Sequence, residues 1–201
     1  LLLHSHRADG RAVACQQGNG ASMAAMVRRK CVATTLGFST IDGLMMGTRC
    51  GNIDHGLILH LIESKQLSVK DMTRILYKES GLLGVSGISQ DMRTLLASDK
   101  PEAHEAVELF CYRIARELGS LAAAAGGLDA VVFTGGIGEH AAEVRRRVCL
   151  QAEWLGIRVN PEANARHDVF ISAGNSSVDV LVIPTNEEWM MAHHAQTLLA
   201  L

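Results

Sequence analysis

Three short apolar runs open the chain, at residues 11–15, 21–27 and 31–35. The first break contains Asn19-Gly20, a pair that tolerates the positive φ angles of a tight hairpin turn. The second break is the polar segment at residues 28–30. Short apolar runs separated by such breaks predict three strands in an antiparallel meander.

A helical spacing of apolar residues follows the strands. Residues 54–65 and 69–78 repeat apolar positions every three or four residues, and residues 101–125 form the clearest helix. Asp99 is the expected cap, ahead of Pro101 and Glu102 in the first turn, and Gly126-Gly127 is expected to end the helix. Its predicted apolar stripe consists of Ala106, Leu109, Phe110, Ile114, Leu118 and Leu121.

Two later apolar runs, at residues 130–134 and 178–183, read as buried strands, each followed by a helix. The predicted order is three strands, several helices, then strand, helix, strand and helix. A meander followed by helix-linked strands predicts one α/β domain with a mixed sheet and helices on its faces.

Composition and charge exclude several classes of protein. Hydrophobic residues make up 48% of the 201 residues, and the net charge of −2 argues against general binding of nucleic acids. No apolar run reaches the length of a membrane span. The five cysteines form no CxxC pair, which favours a reduced, cytoplasmic setting over a zinc site or a disulfide framework.

A glycine-rich segment at residues 134–140 joins a predicted strand to a predicted helix. Its glycines allow a ligand to approach the backbone, and the free N–H groups of the helix start suit an anion or a nucleotide. A tight turn without a ligand is the alternative. Residues 136–141 also match the dinucleotide pattern G-x-G-x-x-A, but the preceding hairpin-like strands do not suit a dinucleotide fold.

Other candidate positions are weaker when each is taken alone. The tip Gly18-Asn19-Gly20 is either a plain hairpin turn or a set of amides for a phosphate. Arg49, among three glycines, is either an ordinary surface residue or a group that stabilises a transferring phosphoryl group. The acids at residues 187–188 either cap a helix or hold Mg²⁺. The histidine pairs, at positions 4 and 6 and at 193 and 194, do not have the spacing of a zinc site.

Taken together, these segments resemble the acetate kinase family, within the sugar kinase, heat-shock and actin superfamily. The segments that carry the resemblance occur in the family's order, at residues 18–22, 34–38, 42–51, 80–89, 91–93, 133–139 and 184–188. The resemblance implies a ribonuclease-H-like domain with a mixed five-stranded sheet and helices on both faces. It also implies transfer of phosphate between ATP and a short-chain carboxylate, with Mg²⁺, by a homodimer.

The resemblance also assigns roles to individual residues. Arg49 would stabilise the transition state, and Glu187 would contribute to the Mg²⁺ site. The expected ATP-binding residues are Gln16, Gln17, Gly18, Asn19, Gly20, Asp91, Met92, Arg93, Gly136, Ile137, Gly138, Glu139 and His140.

The chain departs from the family pattern in several places, which include Ala33, where the family has Asp, and His55, where it has Pro. Gln16 and Gln17 stand where the family has His-Leu, and His140 stands where it has Asn. Residues 1–10 look like an unmatched leader, so residues 11–201 are expected to be the carboxy-terminal, nucleotide-binding domain, with the amino-terminal domain missing. The alternatives are a propionate kinase or a non-catalytic nucleotide-binding or dimerisation module from a truncated gene.

Overall fold

The computed structural model describes residues 9–199, and the predictions for residues 1–8 lie outside this part of the chain. Within the last helix, the side chains that also lie outside the description are those of Glu187, Met190, His193, His194 and Thr197.

One five-stranded mixed sheet organises the fold. Its spatial order is β3-β2-β1-β4-β5, with antiparallel pairing among β1, β2 and β3 and parallel pairing of β1 with β4 and of β4 with β5. The expected meander and the two later strands are therefore confirmed. The strands are β1 (Arg11–Gln17), β2 (Ala21–Val27), β3 (Lys30–Thr34), β4 (Ala130–Thr134) and β5 (Asp179–Val182).

The helices lie between the meander and β4, after β4, and after β5. None of those in residues 9–199 is long and apolar enough to cross a membrane. They are α1 (His55–Lys65), α2 (Val69–Lys78), α3 (Gly81–Ser86), α4 (Met92–Leu96), α5 (Pro101–Ala125), α6 (Gly135–His140), α7 (Ala142–Gln151), α8 (Pro161–Ala165) and α9 (Glu187–Leu199).

Helix α5 forms the centre of the hydrophobic core, packing across β1, β2 and β3 and against α3, α4 and α7. Phe110, Ile114 and Leu118 are fully buried on it. Each such side chain stabilises the fold by about 1.5–3 kcal/mol relative to an exposed position. The opposite face of the sheet carries a smaller apolar cluster that consists of Ala12, Ala130, Val132 and Leu181.

Two details of the α5 prediction were wrong. Lys100, not Asp99, occupies the N-cap position, and it makes no side-chain capping bond. The Pro at the first helical position presets the backbone angle and needs no N–H partner, so the helix can begin without a side-chain cap. Leu109 is 37% exposed, whereas the neighbouring Val107 is buried.

Gln17, the last residue of β1, places a polar side chain in the core. The residue is fully buried, and neither Nε2 nor Oε1 of its side chain has a hydrogen-bond partner among residues 9–199. On the same face of the strand, Val13 and Cys15 belong to the main apolar cluster. An unpaired buried amide costs about 1–3 kcal/mol, so this position weakens the fold.

We therefore expect the Gln17→Leu variant to be more stable than the wild type, by about 1–3 kcal/mol, because it removes the unpaired amide and keeps a similar volume. For a chain of this size, the midpoint of thermal unfolding should rise by several degrees. Circular dichroism during heating measures this midpoint. The exposed Gln90→Leu variant is the control and should change little. A Gln17→Leu midpoint at or below that of the wild type would contradict this account.

Candidate functional site

The candidate site lies where the parallel strands β1 and β4 end side by side. Gln16 pairs with Thr134 in the register, so the hairpin tip after β1 adjoins the glycine-rich start of α6. Gly135 has a φ of +76°, and a Cβ there would lie 2.8 Å from the backbone oxygen of Gln17. Only glycine fits this close crossing of two chain segments.

A first cavity, of about 490 Å³, opens on one side of this crossing. It brings together a strand end, the hairpin tip, the arginine loop at residues 43–51 and the start of α6. The predicted site residues that line it are Gln16, Gly18, Gly20, Arg49, Gly136 and Glu139. Thr40 and Thr185 also line it, although the sequence analysis did not single them out.

A second cavity, of about 500 Å³, shares Gly18 and Gly136 with the first. The other predicted residues that line it are Asn19, Asp91, Met92, Arg93, Ile137 and His140. Gln90 and Leu96 complete the wall near α4. A Cβ at Gly136 would meet nothing within 4 Å, so the passage between the cavities is open.

Three predicted site residues are absent from the cavity walls. Gln17 is buried beneath the crossing, and Gly138 is buried within α6. The side chain of Glu187 lies outside the described residues, although its backbone begins α9, two residues after Thr185.

The arginine loop is locked against the hairpin tip. The Gly47 N–H donates to the Asn19 carbonyl at 3.0 Å, and a Cβ at Gly47 would overlap the Asn19 side chain. A Cβ at Gly20 would lie 2.7 Å from Nη2 of Arg49, so the guanidinium lies directly over the tip. Its Nη1 donates to the Thr40 carbonyl at 2.5 Å. Among the described side chains it forms no ion pair, so its charge remains available to an anion in the cavity.

Asp91 begins α4 at the edge of the second cavity. Its carboxylate accepts from the Arg93 backbone N–H at 2.8 Å and forms an ion pair with the Arg93 guanidinium at 2.6 Å. Hydrogen bonds from the side chain and backbone of Arg93 lower the pKa of Asp91 to about 2. The carboxylate is therefore ionised at neutral pH and held in one orientation.

Arg145, which the sequence analysis missed, is fully buried below α6. Its Nη1 donates to the carbonyls of Gly138 and Glu139 at 2.7 and 2.8 Å, and Nε and Nη2 donate to Asn164. Burial lowers the pKa of Arg145 to about 10, which leaves it charged at neutral pH. A cation at the C-terminal end of a helix satisfies its free carbonyls, so Arg145 stabilises the glycine-rich helix.

Two histidines connect this buried cation to the second cavity. His140, at the cavity wall, lies edge to face with His167, with ring centroids 6.2 Å apart. Nη2 of Arg145 lies 2.9 Å from Nδ1 of His167 and must be the donor, since an arginine has no acceptor. Partial burial, the Arg145 charge and His140 together lower the pKa of His167, in that order of importance.

The described residues contain no cluster of three histidine, cysteine or acidic side chains that could hold a metal ion. Mg²⁺ does not need one, because it binds through one or two carboxylates, several waters and the phosphates of a nucleotide. The backbone of α9 begins two residues after Thr185, which lines the first cavity.

The sequence profile of the acetokinase family matches residues 2–193. The acetate kinase of Rhodopseudomonas palustris strain TIE-1 is 62% identical over 189 residues, which cover 93% of this chain and 48% of that protein. The acetate kinase of Methylocella silvestris is 50% identical over 96% of this chain and 48% of its own length. The chain thus spans about half the length of these relatives.

Solved structures of the family share the fold. The Porphyromonas gingivalis acetate kinase has a TM-score of 0.92 at 37% identity, over 98% of this chain and 51% of its own. A propionate kinase from Francisella tularensis has a TM-score of 0.88 at 36% identity, over 95% of this chain and 50% of its own. These neighbours confirm the expected fold class.

The lowered pKa of His167 predicts a loss of stability in mild acid. An unfolded histidine titrates near pH 6.5, so below about that pH the unfolded chain binds more protons than the folded one, and acid favours unfolding. The loss levels off below the lowered folded pKa. We expect His167→Asn to weaken this pH dependence, because the Asn side chain does not titrate. Asn also tolerates the positive φ of this residue and has an oxygen that can accept from Arg145, so the variant should keep the fold.

The measurement is the unfolding midpoint between about pH 7.5 and pH 5.5, the range over which histidines change charge. The exposed His104→Asn variant on α5 is the control and should keep the pH dependence of the wild type. If His167→Asn loses as much stability on acidification as the wild type does, His167 is not responsible.

Proposed function

Because the chain belongs to the acetokinase family, we propose that it forms the nucleotide-binding half of an acetate kinase, which transfers a phosphoryl group reversibly between ATP and acetate. The observation that carries the proposal is the pair of cavities joined at Gly18 and Gly136, with Arg49 beside one of them. Residues 11–201 would form this nucleotide-binding domain. The carboxylate-binding groups would belong to the part of the relatives that this chain does not span.

The nucleotide would lie across both cavities. Its adenosine would occupy the second cavity, between α4 with its cap Asp91 and the α6 residues Ile137 and His140. Its phosphates would pass Gly18 and Gly136 towards the first cavity, where the lack of side chains leaves room for close backbone approach. The first N–H groups of α6 suit their negative charge.

Arg49 would act on the phosphoryl group in transit. During transfer, negative charge spreads over the equatorial oxygens of that group. A guanidinium fixed by the Thr40 carbonyl and lying over Gly20 can meet this charge without rearrangement. Stabilisation of charge that develops only in the transition state raises the rate rather than ground-state binding.

Mg²⁺ would accompany the nucleotide, with Glu187 as the protein ligand. The ion supplies charge neutralisation of the transferring phosphates. Two departures from the family pattern fall on the walls of the cavities. Gln16 offers an amide without a positive charge, and His140 offers an imidazole to the nucleoside.

Propionate kinase is the second candidate, because one structural neighbour with a TM-score of 0.88 is a propionate kinase. The two activities differ by one methylene in the acid, and the groups that would contact the acid belong to the other half. Comparing acetate with propionate as substrates of the full-length enzyme would separate them.

We also place the protein in the cytoplasm as a homodimer. All five cysteines are free, which suits a reducing compartment. Helix α1 buries none of its residues, and its apolar side chains Leu57 and Leu59 are 44% and 60% exposed. Exposed apolar side chains on a helix support pairing of two subunits.

We expect the 201-residue chain to bind ADP or ATP weakly, with a Kd of roughly 0.1–1 mM, in the range of common substrate affinities. Calorimetric titration measures this binding. Gly136→Val should abolish it, because its Cβ would meet no protein atom within 4 Å and the side chain would therefore occupy the passage between the cavities.

The matched control is Gly174→Val, a loop glycine whose Cβ also meets nothing within 4 Å. It should bind ADP as the wild type does. No heat of binding at millimolar ADP in the wild type would refute the nucleotide site, and preferential binding of NAD would support the dinucleotide alternative instead.

In the full-length enzyme that contains this sequence, Arg49→Ala should lower kcat by roughly 10³-fold, which is the size expected for one lost charge contact in the transition state. The KM for ATP should change far less, because other groups hold the nucleotide. Arg49→Lys should recover only part of the rate, since an ammonium lacks the planar fork of a guanidinium.

Steady-state kinetics and thermal unfolding on the same preparations test this. Arg116→Ala, which removes an exposed arginine of α5 that lines neither cavity, is the control and should leave kcat unchanged. A kcat of Arg49→Ala within about threefold of the wild type, together with a lower unfolding midpoint, would make Arg49 a structural residue.

A further inference from the structure

The side chain of Glu139 lines the first cavity and accepts hydrogen bonds from backbone N–H groups. Its Oε1 accepts from the Gly135 N–H at 2.8 Å and from the Thr185 N–H at 3.0 Å. The Thr185 hydroxyl lies 3.2 Å from the same oxygen. One carboxylate oxygen therefore receives donors from two separate segments of the chain.

The threonine hydroxyls extend this contact. Oγ1 of Thr185 lies 2.8 Å from Oγ1 of Thr134 at the end of β4, and the Gly135 N–H also points to it at 3.2 Å. An ionised carboxylate only accepts hydrogen bonds, so it sets the direction of the donors around it. The ends of β4 and β5 are thus joined through polar side chains as well as through the sheet.

The two joined segments begin the two helices with proposed ligand roles. Gly135 is the first residue of α6, and Thr185 lies two residues before the start of α9 at Glu187. Asn186 caps α9 by accepting from the Trp189 N–H at 3.1 Å. A displacement of Thr185 would therefore carry the first turn of α9 with it.

We propose that Glu139 is a positioning residue, which holds the turn before α9 against the start of α6 so that the metal-binding and nucleotide-binding segments keep a fixed relative geometry. This assignment rests on the proposed function for the ligand roles, but the contact itself does not. The carboxylate acts through Thr185 and Gly135, and it does not bind the nucleotide directly.

Amide hydrogen exchange, followed residue by residue by NMR on the 201-residue chain, tests the contact without nucleotide or activity. In Glu139→Ala, the Thr185 amide loses its acceptor, and its exchange should accelerate at least about tenfold, as expected for a lost hydrogen bond to a charged group. The Gly135 amide loses the shorter of its two contacts and should also exchange faster, although the Thr185 hydroxyl remains as a second acceptor. Amides in the middle of α5 should be unchanged.

Glu139→Gln is the decisive variant, because its amide oxygen can still accept from the same donors. It should keep slow exchange at both amides. Glu143→Ala is the matched control, since that carboxylate binds the side chains of Arg146 and Arg147 and neither of these amides. Exchange at Thr185 within about twofold of the wild type in Glu139→Ala would overturn the proposal, as would equal acceleration in Glu139→Gln.

Calorimetry with ADP, with and without Mg²⁺, then tests the functional consequence. Glu139→Ala should reduce the gain in ADP affinity that Mg²⁺ provides by about tenfold, and Glu139→Gln should retain it. If Glu139→Gln loses ADP binding while its amides exchange slowly, Glu139 binds the ligand through its charge, and the positioning role is overturned. If the wild type binds no ADP, the proposed function fails, while the exchange data still decide the contact.

Discussion

The parallel pairing of β1 with β4 determines where each candidate ligand group lies. Parallel strands end at the same edge of a sheet, and ligands commonly bind in the crevice outside these ends. Here the strands end one against the other, with Gly135 crossing the backbone of Gln17 at a distance that excludes any side chain. Both cavities open from this crossing. The arginine loop completes the first cavity, and α4 with its cap completes the second.

The arginine loop illustrates this dependence. It reaches the site because Gly47 accommodates the Asn19 side chain and bonds to the backbone of the hairpin tip. Its other side is held by α3, whose residue Leu82 donates to the Met46 carbonyl. Arg49 is thus fixed from two directions before any ligand binds. Preorganised charge of this kind is most effective in catalysis, because no rearrangement is needed during the reaction.

The sequence predicted those features that depend on local pattern. The bounds of β2, α2, α5 and β4 were predicted to the residue, because continuous apolar runs and three- or four-residue spacing are local properties. Most of the motif residues that the family resemblance selected line two adjoining cavities, and Gln17 and Gly138 are buried behind them. Their individual roles stay predictions.

Other features could not be predicted from sequence, because they depend on what lies across the fold. Arg145 stands within a run of three arginines, and only the packed structure shows which of them is buried. The same holds for Gln17, since alternation along β1 cannot show whether the buried side chain finds a partner. The engagement of Glu139 by Thr185 joins positions 46 residues apart and has no local signature.

The burial of Arg145 couples the unfolding of the segments that surround it. Its guanidinium donates hydrogen bonds to α6, to Asn164 in α8 and to His167 beyond it. Unfolding any one of these segments would leave a charged donor in an apolar interior, which is far costlier than exposing a neutral group. The segments around α6, α7 and α8 are therefore expected to open as a single cooperative unit, so α6 cannot fray independently of the helices behind it.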